Sequence, residues 1–258
     1  MATNTKKQVY KPVETILVSQ PQPQRSPFFN LAEKFDLKID FRSFIHVEEV
    51  SEKEFRKQRV RPDEYSAVIF TSRNSIDHFF RMCEEMRIKM SEDTKYFCLS
   101  EAVAHYLQKF IVYRKRKVFV GKRKIADLEN AFKKHKKNEN FLLPCSNLGS
   151  KQVVRYLKKE KITYQEAMMY RTVASDLSDL ADITYDVLVF FSPLGIESLY
   201  QNFPEFKQNE TRIAAYGNTT SKAVEDRGLK INIKAPQPET PSMTMALEKY
   251  IVVANGVK

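Results

Sequence analysis

Residues 67–80 (AVIFTSRNSIDHFF) and 187–200 (VLVFFSPLGIESLY) are two diverged copies of one pattern, 120 positions apart. Each runs three apolar residues, Phe, a variable residue, Ser, three residues, Ile, an acid and, one residue on, two large apolar residues. A weaker pair follows in the same order, YFCLSEAVAHYL (96–107) and IAAYGNTTSKAV (213–224), at an offset of 117. Two matched pairs at nearly equal offsets mean that one supersecondary unit is built twice. Any fold for this chain therefore has to hold two similar halves.

Each copy begins with a short apolar run and continues at helical spacing. In 74–86, Ile76, Phe79, Phe80, Cys83 and Met86 fall on one helical face. Further apolar runs at 15–19, 117–120, 141–145, 212–217 and 231–235 read as strands, most of them followed by helical patterns. Strands alternating with helices give parallel sheets covered on both faces. Two longer segments, 37–50 and 162–173, are rich in β-formers and lead into no ordinary helix. They read as strands carrying the chain out of one domain and back. The expected fold is two similar open parallel-sheet α/β domains, flavodoxin-like or Rossmann-like. One is discontinuous (1–40 with 173–258) and the other is inserted (46–165). Segments 41–45 and 166–172 connect them, and the ligand site is expected in the cleft between the domains, beyond the carboxyl ends of the strands.

Composition narrows the chemistry. The 258 residues are 42% hydrophobic and 29% charged, a globular balance. The apolar run at 187–191 is far short of the ~20 residues that span a membrane. The first fifteen residues contain no apolar signal core, so no secretory signal is expected and a cytoplasmic protein is. With six glycines and no G-x-G-x-x-G or Walker motif, the common nucleotide cradles are not expected. Cys83, Cys98 and Cys145 are scattered, and His46, His78, His105 and His135 lack metal-ligand spacing, so neither disulfides nor a metal is expected. The histidines read as surface or boundary side chains. Of the net charge of +11, residues 114–137 carry +9: eleven Lys/Arg against Asp127 and Glu129. Such a run is either a solvated face or an attractor of polyanions.

In this architecture the residue after each strand opens a helix. Those turns contain Ser72-Arg73-Asn74, Ser100-Glu101, Cys145-Ser146-Asn147, Ser192-Pro193, Gly217-Asn218-Thr219-Thr220 and Thr240-Pro241-Ser242. Such residues cap helices. Equally, helix starts bind carboxylates through free N–H groups, and Arg73 could add a bidentate charge. No nucleophile elbow, zincin motif or His–Cys pair accompanies them.

Residues 69–80, YRTV (170–173), 187–200 and 213–247 together resemble the uroporphyrinogen-III synthase family in order and spacing. The resemblance implies two α/β domains joined by a two-stranded ladder. It implies an enzyme of porphyrin and heme biosynthesis, a lyase that needs no cofactor or metal. Its substrate would be hydroxymethylbilane, a linear tetrapyrrole with eight carboxylates, closed to uroporphyrinogen III with loss of water and inversion of the terminal ring. A monomer receiving its substrate from hydroxymethylbilane synthase fits that chemistry. Tyr170 matches a family tyrosine and is the candidate general acid, or else a hinge aromatic of the cleft wall. Thr219 and Thr220 match the family's hydroxyl pair and would hold a substrate carboxylate. Ser72, Arg73, Asn74 and Ser192 occupy the equivalent rim, with Thr240 in the Pro-Thr stretch. The turn at Ser100 departs from the family pattern, and Glu101 makes it less welcoming to an anion. The competing readings are a non-catalytic binding protein for an anionic ligand, and nucleic-acid binding through 114–137.

Overall fold

A computed structural model describes residues 11–256. Residues 1–10, which belong to both the expected first domain and the stretch read for a signal, lie outside the described residues, as do 257–258. The elements in chain order are β1 (Thr15–Val18), α1 (Pro27–Phe35), β2 (Lys38–Phe41), β3 (Ile45–Glu49), α2 (Glu52–Phe55), β4 (Ala67–Phe70), α3 (Arg73–Glu85), β5 (Lys95–Cys98), α4 (Glu101–Leu107) and β6 (Val118–Val120). They continue as α5 (Glu129–His135), β7 (Phe141–Ser146), α6 (Lys151–Lys159), β8 (Tyr164–Ala174), β9 (Val187–Phe190), α7 (Pro193–Asn202), β10 (Arg212–Tyr216), α8 (Asn218–Asp226), β11 (Ile231–Ala235) and α9 (Met243–Ala254).

The chain forms two compact units, one of Met1–His46 with Val173–Lys258 and one of Val47–Thr172. The first contains a five-stranded parallel sheet in the order β11-β10-β9-β1-β2. The second contains β3-β8-β7-β4-β5-β6, in which β4 to β8 pair in parallel. Read along the chain, the parallel strands of the two units follow different orders, 2-1-3-4-5 and 3-2-1-4-5. Matching β9 to β4 and β10 to β5, as the sequence repeat does, makes the two sheets superpose strand for strand. They are one sheet entered at different strands.

The strands β4 (AVIF) and β9 (VLVF) are buried at every position. That is why they read as unbroken apolar runs rather than alternating ones. Alternate side chains serve opposite faces. In the first unit Ile16, Val18, Val187 and Val189 pack on one side, and Leu17, Leu188 and Phe190 on the other. In the second unit Val68, Phe70 and Leu142 face one core, and Ala67, Ile69, Phe97 and Phe141 face the other. The extended reading of 37–50 needs correction. It is two strands, with Arg42-Ser43-Phe44 between them. Phe44 is buried against Phe190, ring centroids 5.6 Å apart, and its carbonyl accepts from the Ser198 hydroxyl at 2.5 Å and the Ser175 N–H at 2.9 Å. Those contacts take the backbone groups that a continuous strand would need.

Candidate functional site

Open parallel sheets bind ligands beyond their carboxyl edge, where the strand order reverses. In the second unit that point lies between β4 and β7, and in the first between β1 and β9. Ser72 and Ser192 are the residues that open the helices after β4 and β9.

In the second unit, Ser72 is the N-cap of α3. Its hydroxyl accepts the Ser75 N–H at 3.2 Å, and the Ser75 hydroxyl accepts the Ser72 N–H at 3.2 Å, a reciprocal cap. The Ser72 side chain stands near the Tyr170 hydroxyl, close enough to favour its ionised form. Tyr170 lies in β8, is 7% exposed, and stacks on His78 of α3 with ring centroids 4.7 Å apart. Burial raises the Tyr170 pKa, opposed by the nearby Ser72 side chain, so the phenol is protonated at neutral pH. Arg73 and Asn74 follow on the exposed first turn, and the Arg73 guanidinium lies 5.4 Å from the Tyr106 ring centroid. Asn147, read as a candidate cap, instead pairs with the backbone of Thr172, accepting its N–H at 2.9 Å and donating to its carbonyl at 3.3 Å. Beside it a cavity of about 380 Å³ opens at the start of α6, lined by Ser150, Lys151 and Glu166 among others. Ser150 forms no side-chain cap and no acid stands in that first turn. The sequence reading missed Ser150 and Lys151, although the Gly149-Ser150 step before the apolar face of α6 marks them.

In the first unit, Ser192 caps α7, accepting the Gly195 N–H at 3.4 Å. Ser100, Ser242 and Ser26 likewise cap α4, α9 and α1. For these turns the capping reading holds. Helix α8 differs. Its N-cap is Gly217 at φ 84°, with no capping side chain and no acid in the first turn. Its free N–H groups are left for an anion. Thr219 is exposed there, whereas Thr220 is 1% exposed and its side chain is turned into the protein. Thr240 is buried, exchanges backbone hydrogen bonds with Gln237, and precedes rather than caps α9. Ser72 and Tyr170 lie together in the second unit; Ser192, Thr219 with Thr220, and Thr240 belong to three separate helix starts. Gly217→Ala should cost about 1–3 kcal/mol of stability, since a side chain at this φ is strained; urea unfolding measures it.

A cavity of about 930 Å³ opens at the other edge of the first unit's sheet, among Thr15, Asp186 and Thr211 at the amino ends of the strands. Its size does not make it the site, because helix starts and the strand-order reversal lie at the carboxyl edge.

The family model described as "Uroporphyrinogen-III synthase HemD" matches residues 28–245. The chain belongs to the uroporphyrinogen-III synthase family. A uroporphyrinogen-III synthase of Chlorobaculum parvum is 24% identical over 254 residues, covering 93% of this chain and all of that one. Among solved structures, the uroporphyrinogen-III synthetase of Helicobacter pylori is similar with a TM-score of 0.59 at 16% identity, covering 93% of this chain and 99% of that one. A mutant uroporphyrinogen III synthase of Thermus thermophilus gives 0.54 at 14%, covering 92% and 98%. These likenesses bear out the two-sheet α/β fold.

Membership turns attention to acid–base and orienting groups rather than thiols. Burial raises Cys83 and Cys98 to about 12 and Cys145 to about 11, so none is a ready nucleophile. Among the described residues no helix is long and apolar enough to cross a membrane, and no cluster of His, Cys, Asp or Glu is placed to hold a metal.

Proposed function

We propose that this chain is a uroporphyrinogen-III synthase, a cytoplasmic lyase that closes hydroxymethylbilane to uroporphyrinogen III without a cofactor. The observation that carries the reading is a family match spanning both units, with Tyr170 buried at a carboxyl edge near the Ser72 cap. The hydroxyl of the substrate's hydroxymethyl group leaves as water when the Tyr170 O–H protonates it, and the remaining methylene stays on its pyrrole as an azafulvene. The substituted carbon of the terminal pyrrole attacks that azafulvene, giving a spiro intermediate that reopens and recloses with the ring inverted. The proton released as the pyrrole regains aromaticity restores the phenol. The pyrroles supply the nucleophile and the electron push, so the protein's work is mainly orientation, worth up to about 7–11 kcal/mol.

The eight substrate carboxylates need donors. The α8 start with Thr219, the α6 start with Ser150 and Lys151, and the exposed guanidinium of Arg73 are the groups proposed for them. Ser192 and Asn74 add polar contacts at the same edges of their sheets. Thr220 and Thr240 are assigned to shaping their turns, because their side chains are buried. A monomer that receives its short-lived substrate from hydroxymethylbilane synthase completes the proposal.

Freshly prepared hydroxymethylbilane added to the purified chain should give uroporphyrinogen III, resolved from isomer I by chromatography after oxidation. Isomer I alone, at the spontaneous rate, would overturn the reading.

A further inference from the structure

Strand β8 does not keep step with β7. Cys145 pairs with Met168, but the next residue, Ser146, pairs with Tyr170, so Met169 is an extra residue in the ladder. In an even strand, neighbours point to opposite faces. Here Met169 and Tyr170, adjacent in sequence, are both buried in the same core. A one-residue slip re-aims the side chains that follow it, and Tyr170 is the first residue after it.

A slip also leaves backbone groups without ladder partners, and a buried carbonyl needs a donor. The Met169 carbonyl has two. The Val50 N–H donates to it at 3.2 Å and Arg81 Nη2 at 3.1 Å. The same Arg81 nitrogen donates to the Val50 carbonyl at 3.0 Å, which ties the flank of β3 to the slip. The guanidinium is itself held. Its side chain is 18% exposed, Nη1 donates to Glu85 at 2.6 Å, and Nε lies 3.4 Å from a Glu49 oxygen. One turn earlier on the same helix, His78 stacks on the Tyr170 ring, and Ser72 at the start of the helix stands near the hydroxyl. Helix α3 thus meets Tyr170 at the backbone beside it, at its ring and at its oxygen.

We infer that Arg81 is a positioning residue for Tyr170: by holding the Met169 carbonyl it fixes the slip in β8 that seats the ring against His78 and brings the hydroxyl to Ser72. The inference rests on the role proposed above for Tyr170. Lysine cannot replace the arrangement fully, because arginine's rigid fork bonds two carbonyls and the Glu85 carboxylate at once, with Glu49 at ion-pair distance.

The test uses the full chain labelled with ¹³Cζ-tyrosine, the Tyr170 resonance being assigned by its loss in Tyr170→Phe. In Arg81→Met, which keeps an apolar stem and removes the donors, that resonance should shift, and its titration midpoint should fall toward the ordinary ~10 of a solvated tyrosine. Turnover should fall by about 10–10²-fold, the scale of an ångström of misplacement, with KM little changed and more isomer I formed. Arg81→Lys should lie between. Tyr170→Phe/Arg81→Met should be no slower than Tyr170→Phe alone, since both changes remove one function. A Tyr170 resonance identical to wild type in folded Arg81→Met, or in Arg81→Lys should the methionine variant not fold, overturns the inference. So do losses that simply multiply in the double variant. Wild-type turnover in Tyr170→Phe would instead remove the role of Tyr170, and the resonance would still decide whether Arg81 positions it.

Discussion

Tyr170→Phe is expected to lower turnover by about 10²–10⁴-fold, the usual contribution of a single general acid, with far less effect on the substrate concentration required. The substitution removes one oxygen. The ring keeps its volume in the core and its stack on His78. Losing one hydroxyl should cost no more than about 1 kcal/mol of stability, so a folded variant is available for kinetics. The pH dependence follows from the direction of the shift. Burial holds the Tyr170 pKa above its ordinary value. The protonated, donating form therefore persists through neutrality, and activity should fall only on the alkaline side as the phenol ionises. In Tyr170→Phe that alkaline limb should vanish along with most of the rate. Initial rates with fresh substrate across pH, with the isomers separated, measure both. Unchanged turnover would leave Tyr170 as a wall of the site and nothing more.

The fold was legible because its central strands are buried on both faces, so AVIF and VLVF announce themselves twice in one chain. The repeat also carries the topology, since matching β4 with β9 and β5 with β10 aligns the rest of the two sheets. What the sequence hides is set by contacts far along the chain. The motif MMYRT contains no glycine or proline to mark the slip at Met169, which depends on Arg81, 88 positions earlier. His78 reads as an ordinary helical boundary residue, and its stack on Tyr170 depends on how α3 and β8 pack. Thr219 and Thr220 look alike in sequence, but consecutive helical residues point about 100° apart, and only packing turns Thr220 inward. Ser72 was legible as a cap and as a rim hydroxyl; its place near the Tyr170 hydroxyl was not.

Phe132→Ala should destabilise the second unit by about 3–5 kcal/mol, the cost of emptying a large core side chain. Phe132 lies in the middle of the basic segment 114–137 and is 1% exposed. Its ring stacks on Phe97 at 4.8 Å and meets Phe141 at 5.5 Å and Tyr156 at 6.1 Å. Ile125 and Leu128 from the same segment are buried in the same core, and Val118 is buried in the core on the other face of the sheet. Around this apolar anchor the charges are tied locally. Arg114 pairs with Glu92, Lys117 with Asp93 and Lys133 with Glu129. The Asp127 carboxylate accepts the backbone N–H groups of Lys122, Arg123 and Lys124, which lowers its pKa. The exposed pairs of Arg114 and Lys133 contribute little to stability. Replacing Lys122, Arg123 and Lys124 with glutamine should therefore shift stability by no more than about 0.5 kcal/mol, in contrast to the loss from one phenylalanine. Denaturant unfolding of the two variants side by side gives the comparison. The triple variant also tests the polyanion reading, since binding that depended on these charges would weaken steeply with salt and fall again on their removal. A large loss from the triple variant and a small one from Phe132→Ala would mean that the segment is held by its charges rather than by its buried face.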